Sequence, residues 1–212
     1  MSYSELFFIL DRSGSMHNIC LDMEGAIASV LSKQKENQER VLVTYARFDS
    51  QYEEVFFEKD ISEIDGLRLE PRGSTAFLDA IGISVNTFAS RYEKKEEKPQ
   101  RVLFIIITDG QENASTEYNR DSILKLIDEY QSKYDWGFTF IGSNQDSIAE
   151  GNKIGISKNC SLNYTSSAVG VRDMSRSVSC FVSNYLSAGE CSYDSAEDKP
   201  VDIDKKWTNK NA

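Results

Sequence analysis

Residues 6–16 read LFFILDRSGSM, and this stretch decides the fold. Five apolar residues, Leu6 to Leu10, run without interruption and stop at Asp11. Ser13 and Ser15 follow with Gly14 between them, and from Ile19 onward apolar residues recur at helical spacing. A short unbroken apolar run of this kind reads as a strand buried on both faces, the pattern of a parallel sheet. A strand that ends on a carboxylate and turns through two hydroxyls toward a helix places three hard oxygens in one short loop. Such donors suit Mg²⁺ or Mn²⁺.

Working outward, the spacing predicts a strand over 5–10 and a helix over 19–37, with Ile19, Met23, Ala26, Ile27, Val30 and Leu31 on one side. VLVTYARF (41–48) and YEEVFFE (52–58) are β-rich and flank Asp49-Ser50, a hairpin pattern. Residues 60–70 are irregular. Ser74 or Thr75 is placed to cap a helix over about 76–91, and the charged run from Lys94 to Pro99 reads as a solvated connection. RVLFIIIT (101–108) is the most apolar run and the best central strand, ended by Asp109-Gly110. A helix over 119–133, a strand over 136–141, a short helix near 145–152, a strand near 160–164 and a last helix over about 167–187 complete the pattern. Strands alternating with helices imply a mostly parallel sheet covered on both faces, with the hairpin supplying one antiparallel edge strand. The pattern fades near Glu190. We expect a domain over 1–189 and a loose polar tail over 190–212, in which Val201, Ile203 and Trp207 are able to dock on the domain.

A length of 212 residues suits one α/β domain. The net charge of −10 disfavours nucleic acid as a main partner and favours cations and basic protein faces. The four cysteines, Cys20, Cys160, Cys180 and Cys191, form no C-x-x-C pair, which argues against zinc, and they suggest no disulfide framework. The opening MSYSELFFIL lacks a basic region, and no stretch is long enough to span a membrane, so the expected setting is cytoplasmic.

In open parallel sheets, ligands bind at the carboxyl ends of the strands. Asp11 and Asp109 each follow a strongly apolar strand, so neighbouring strands would bring the two carboxylates together. A divalent cation would relieve their repulsion. Ser13, Ser15 and Thr75, from the Gly-Ser-Thr loop, add neutral oxygens. An ion so held is only just neutralised and would accept a further anionic ligand.

These motifs, D-R-S-G-S (Asp11, Ser13, Ser15), R-G-S-T (Thr75) and I-T-D-G (Asp109), resemble the metal-ion-dependent adhesion site of the von Willebrand factor A domain family, known also from integrin I domains. The resemblance covers about residues 4 to 187. It implies a doubly wound, Rossmann-like six-stranded sheet of order 3-2-1-4-5-6 with one antiparallel edge and helices on both faces. It also implies Asp11, Ser13, Ser15, Thr75 and Asp109 as metal residues around Mg²⁺ or Mn²⁺, with Ca²⁺ less suited. A partner protein's Asp or Glu would fill the remaining position. LDRSGSM, PRGSTAFLDAIG, ITDGQENAS and FIGSNQDS look most like small intracellular bacterial or bacteriophage members, some of whose relatives partner with AAA+ ATPases. No catalytic residue is implied.

Other readings stand beside this one. Asp11 could serve as the nucleophile of a Mg²⁺-dependent phosphohydrolase like the haloacid dehalogenases, although Ser13 stands where their acid-base aspartate would be. Asp11, Ser13 and Ser15 could merely stop a strand and cap a helix. Asp79 could brace the Thr75 loop or be an ordinary helix residue. Asp49 reads as a hairpin-turn residue, His17 as exposed, Glu112 and Asn113 as rim residues, and Gly14 and Gly110 as backbone-shaping. Met16, His17, Phe77 and Tyr118 are the candidates for apolar surface around the site.

Overall fold

Strand β1 (Tyr3–Asp11) is buried along its whole length, as an apolar run must be when helices cover both sides of a sheet. The computed structural model describes residues 2–36, 39–143 and 147–193. In order, β1 is followed by a 3-10 turn (Gly14–Ile19), α1 (Cys20–Lys35), β2 (Arg40–Phe48), β3 (Tyr52–Asp60), α2 (Phe77–Glu93) and β4 (Arg101–Thr108). Next come α3 (Arg120–Tyr134), β5 (Gly137–Ser143), α4 (Ser147–Lys153), β6 (Ser161–Tyr164) and α5 (Ala168–Ala188). The sheet order is β3-β2-β1-β4-β5-β6. Among the described strands, only β2 and β3 pair antiparallel.

Register explains the packing. Phe7, Phe104 and Phe138 are successive cross-strand partners on β1, β4 and β5. Their rings stack at 5.2 and 4.9 Å, with Phe88 of α2 standing edge-on above. Trp136 closes this aromatic block against Phe88 and Tyr92. Away from it, α1 and α5 pack on one another, with Ser175 Oγ donating to the Ala26 carbonyl at 3.0 Å. Strand order turns at β1, so right-handed crossovers send α1 to one face and α2 and α3 to the other and leave a crevice beyond the ends of β1 and β4.

Several boundaries differ from the sequence reading. The helix expected from residue 19 is preceded by a 3-10 turn, anchored by the fully buried Met16, and ends at Lys35, while Asn37 lies outside the described residues. Neither Ser74 nor Thr75 caps α2: the cap position is Ala76, without a side-chain bond. Met16 and Phe77 are core residues rather than surface, because the helical turn and α2 aim them inward. Residues 145–146 of the expected short helix are outside the described residues, as are Val201, Ile203 and Trp207. Of residues 190–212, the described part runs to Tyr193, whose ring stacks on Phe181 at 4.4 Å.

Candidate metal centre

Asp11 is the last residue of β1, and Asp109 follows the last residue of β4. Because β1 and β4 are neighbours in parallel register, both carboxylates reach the same crevice. Asp11 is fully buried and its two oxygens are both engaged. Its Oδ1 accepts the Ser13 N–H at 2.6 Å and its Oδ2 accepts the Thr108 hydroxyl at 2.6 Å. Ser13 Oγ and Ser15 Oγ stand 3.0 Å apart, and the Ser15 hydroxyl donates to Asp109 Oδ1.

Thr75 arrives from a separate loop and is held there by its backbone. Its N–H donates to Asn113 Oδ1 at 2.9 Å, and its carbonyl accepts the Asn113 N–H at 3.0 Å. The hydroxyl comes so near the β4 end that a Cβ at Gly110 would stand 2.7 Å from Thr75 Oγ1 and 3.6 Å from Ser15 Oγ. The five residues singled out from the sequence thus meet at one place.

Burial pushes the Asp11 carboxyl up to about 6, opposed by the hydrogen bonds from Thr108 and Ser13 and reinforced by the charge of Asp109. Burial also raises Asp109, against the hydrogen bond from Ser15. Two carboxylates made reluctant to ionise by burial, Asp11 also by the charge of Asp109, are what a cation would relieve. Among the described residues, no group of three or more His, Cys, Asp and Glu side chains is placed to hold a metal. The donor set available here is instead two carboxylates with three hydroxyls, all of them hard oxygens.

The loops around this set are tied by residues with no evident signal in the sequence. Arg12, only 2% exposed, donates from Nε to Asp49 Oδ2 at 2.9 Å and from Nη1 to Glu53 at 2.7 Å. Arg72 Nε reaches the same Asp49 oxygen at 2.7 Å. Burial works to raise the Asp49 carboxyl, but Arg72, the Gln51 N–H and Arg12 outweigh it and hold it below its ordinary value. Asp49 is therefore a turn residue and also the clamp joining the Ser13 loop to the Thr75 loop. Backbone bonds reinforce the clamp: Gly14 N–H to the Gly73 carbonyl, Arg72 N–H to the Arg12 carbonyl, and Ala76 N–H to the Asp49 carbonyl.

Asp79 and Glu112 act as braces. Asp79 accepts the N–H groups of Thr116, Glu117 and Tyr118, while Glu112 accepts those of Leu78, Ala114 and Ser115. Together they bind the β4–α3 loop to the first turn of α2 and supply the capping that Thr75 does not. Thr108 was also missed. The signal for it was parity, since a residue level with Asp11 on a parallel neighbour shares its face. His17 is exposed, and Tyr118 is half-buried.

The sequence profile described as von Willebrand factor type A domain matches residues 5–176. No curated protein matches the chain. Among solved structures, proximal thread matrix protein 1 from the mussel byssus, with a zinc-occupied MIDAS motif, superposes with a TM-score of 0.60 at 18% identity, over 84% of this chain and 45% of that one. The von Willebrand factor type A structure from Catenulispora acidiphila gives 0.60 at 13% identity, over 85% of this chain and 42% of that one. The manganese-loaded TRAP protein of Plasmodium vivax gives 0.51 at 17% identity, over 66% and 57%. At such identities the likeness is one of fold, and this chain spans less than half the length of the first two.

Proposed function

Because this chain belongs to the von Willebrand factor type A domain family, we propose that Asp11, Ser13, Ser15, Thr75 and Asp109 hold one divalent cation, Mg²⁺ by preference, and that a carboxylate of a partner protein completes its shell. The observation that carries this reading is the 3.0 Å separation of Ser13 Oγ and Ser15 Oγ. Oxygens at adjacent corners of a Mg²⁺ octahedron, with bonds of about 2.1 Å, lie about 3.0 Å apart.

Charge supports the second half of the proposal. Asp11 and Asp109 supply two formal negative charges and the three hydroxyls none, so a bound dication is only just balanced and keeps its affinity for a further anionic oxygen. The zinc-occupied motif of the mussel protein and the manganese-loaded Plasmodium vivax protein are metal-bearing examples of the same fold. The partner class is a protein presenting an exposed Asp or Glu, an AAA+ ATPase among the possibilities the family resemblance raises. A nucleophilic Asp11 is disfavoured, since Ser13 stands where the acid-base aspartate would be and its hydroxyl cannot act as that group.

Calorimetric titration of Mg²⁺ or Mn²⁺ into the full chain tests the metal: one binding event is expected, lost in Asp11→Ala with the circular dichroism unchanged. Neither heat nor a thermal shift with either ion would refute it. Pull-down with and without EDTA tests the contact, and a partner retained equally in EDTA would exclude the metal as the bridge.

A further inference from the structure

Away from the metal centre, two cysteines meet across the edge of the domain. Cys160 lies just before β6 and is 6% exposed, and Cys191 lies beyond α5, half-buried. They are 31 positions apart in sequence, yet Cys160 Sγ donates to the Cys191 carbonyl at 2.9 Å. The two thiols lie close enough to perturb each other's ionisation. The backbones run alongside here, with the Tyr193 N–H donating to the Asn159 carbonyl at 2.9 Å. A disulfide requires the Cα atoms of its two cysteines to stand roughly 4.4–6.8 Å apart, so its formation here turns on this close approach of the two backbones.

The segment carrying Cys191 is seated. Its thiol faces the Phe138 carbonyl at 3.6 Å, the Tyr193 hydroxyl bonds Thr139 Oγ1 at 2.9 Å, and the Tyr193 ring stacks on Phe181. Cys20 and Cys180 instead contact residues of their own helices, Glu24 and Asn184.

We propose that Cys160 and Cys191 form a redox-responsive thiol pair that closes to a disulfide when a peroxide oxidises it. One sulfur, as thiolate, attacks the peroxide O–O bond, keeps one oxygen as a sulfenic acid and releases the other as water. The second sulfur displaces that oxygen as water and the S–S bond forms. Two thiols lose two hydrogens and two electrons, and one peroxide becomes two waters. The partly exposed Cys191 edge gives a small oxidant access, and a dithiol reductant reverses the step. Closure ties the segment after α5 to the entrance of β6 and fixes a loop that contains the whole of α5.

The test treats the full chain with hydrogen peroxide and maps it by non-reducing digestion and mass spectrometry. The expected product is lighter by two hydrogens, carries a peptide pair joining 160 to 191, and reverts with dithiothreitol. Its melting temperature should rise by about 10 °C over the reduced form. Cys160→Ser and Cys191→Ser each abolish the link, while Cys20→Ser and Cys180→Ser leave it. The proposal is overturned if both thiols remain open to alkylation in the oxidised folded chain. A link formed no faster in the folded chain than in urea, or one made to Cys20 or Cys180, would also overturn it.

Discussion

Gly110→Ala adds one methyl group beside the proposed metal site and isolates the placement of Thr75 from every other variable. Gly110 is not among the glycines with positive φ, so the backbone itself accepts alanine. The obstruction is steric: the new Cβ would lie 2.7 Å from Thr75 Oγ1, and ordinary contact requires the hydroxyl to retreat by about 0.7 Å. Thr75 cannot follow as a unit, because both of its backbone polar groups are bonded to Asn113. The retreat must therefore come from rotation of the hydroxyl. Metal–oxygen bonds tolerate only about 0.2 Å. Displacing one contributor should weaken Mg²⁺ binding by about 10–100-fold, or about 1.4–2.8 kcal/mol. The stability cost of a single overpacked methyl is about 1–2 kcal/mol. Isothermal titration of wild type and variant at matched pH and ionic strength reads the first quantity, and urea denaturation without metal reads the second. A variant that binds Mg²⁺ within about twofold of wild type would refute the placement of Thr75 at the ion.

Asp49→Ala should cost about 3–5 kcal/mol, because it strips the buried Arg12 of its inner partner and leaves only the more exposed Glu53; a loss under about 1 kcal/mol by urea denaturation would show that the clamp is not rigid. Asp79→Ala removes the acceptor for three backbone N–H groups, and hydrogen exchange at Thr116, Glu117 and Tyr118 should accelerate by about tenfold or more; unchanged protection there would mean that the loop is held by other contacts. At the opposite end of β1, burial pushes the Glu5 carboxyl from its ordinary 4.5 up to about 7, with Lys95 pulling it down. Between those values the folded chain keeps a proton that the unfolded chain has released, so the stability contributed by this group falls as pH rises from about 4.5 to about 7. Glu5→Gln should flatten that slope in denaturation midpoints taken across the range, and an unaltered slope would assign it to another group.

Much of the molecule is legible in local pattern. LFFIL and VLFIIIT can be satisfied only by burial on both faces, and each is followed directly by a carboxylate, so β1, β4 and the positions of Asp11 and Asp109 follow from residue order alone. Helical spacing likewise marks α1, α2, α3 and α5, since the 3.6-residue period is carried by neighbours in sequence. What no local pattern contains is who meets whom. That Thr75 lies over Gly110, that Arg12 and Arg72 converge on Asp49, and that Asp79 and Glu112 bind the loop after β4 are contacts between distant segments. They exist only once the parallel pairing of β1 with β2 and β4 has set the strand ends level. Met16 and Phe77 make the same point from the apolar side: an exposed loop and a helix start suggest surface, and tertiary packing buries both. Residue order determined which oxygens were available for a metal. Chain crossing and sheet register decided that they stand close enough together to share one.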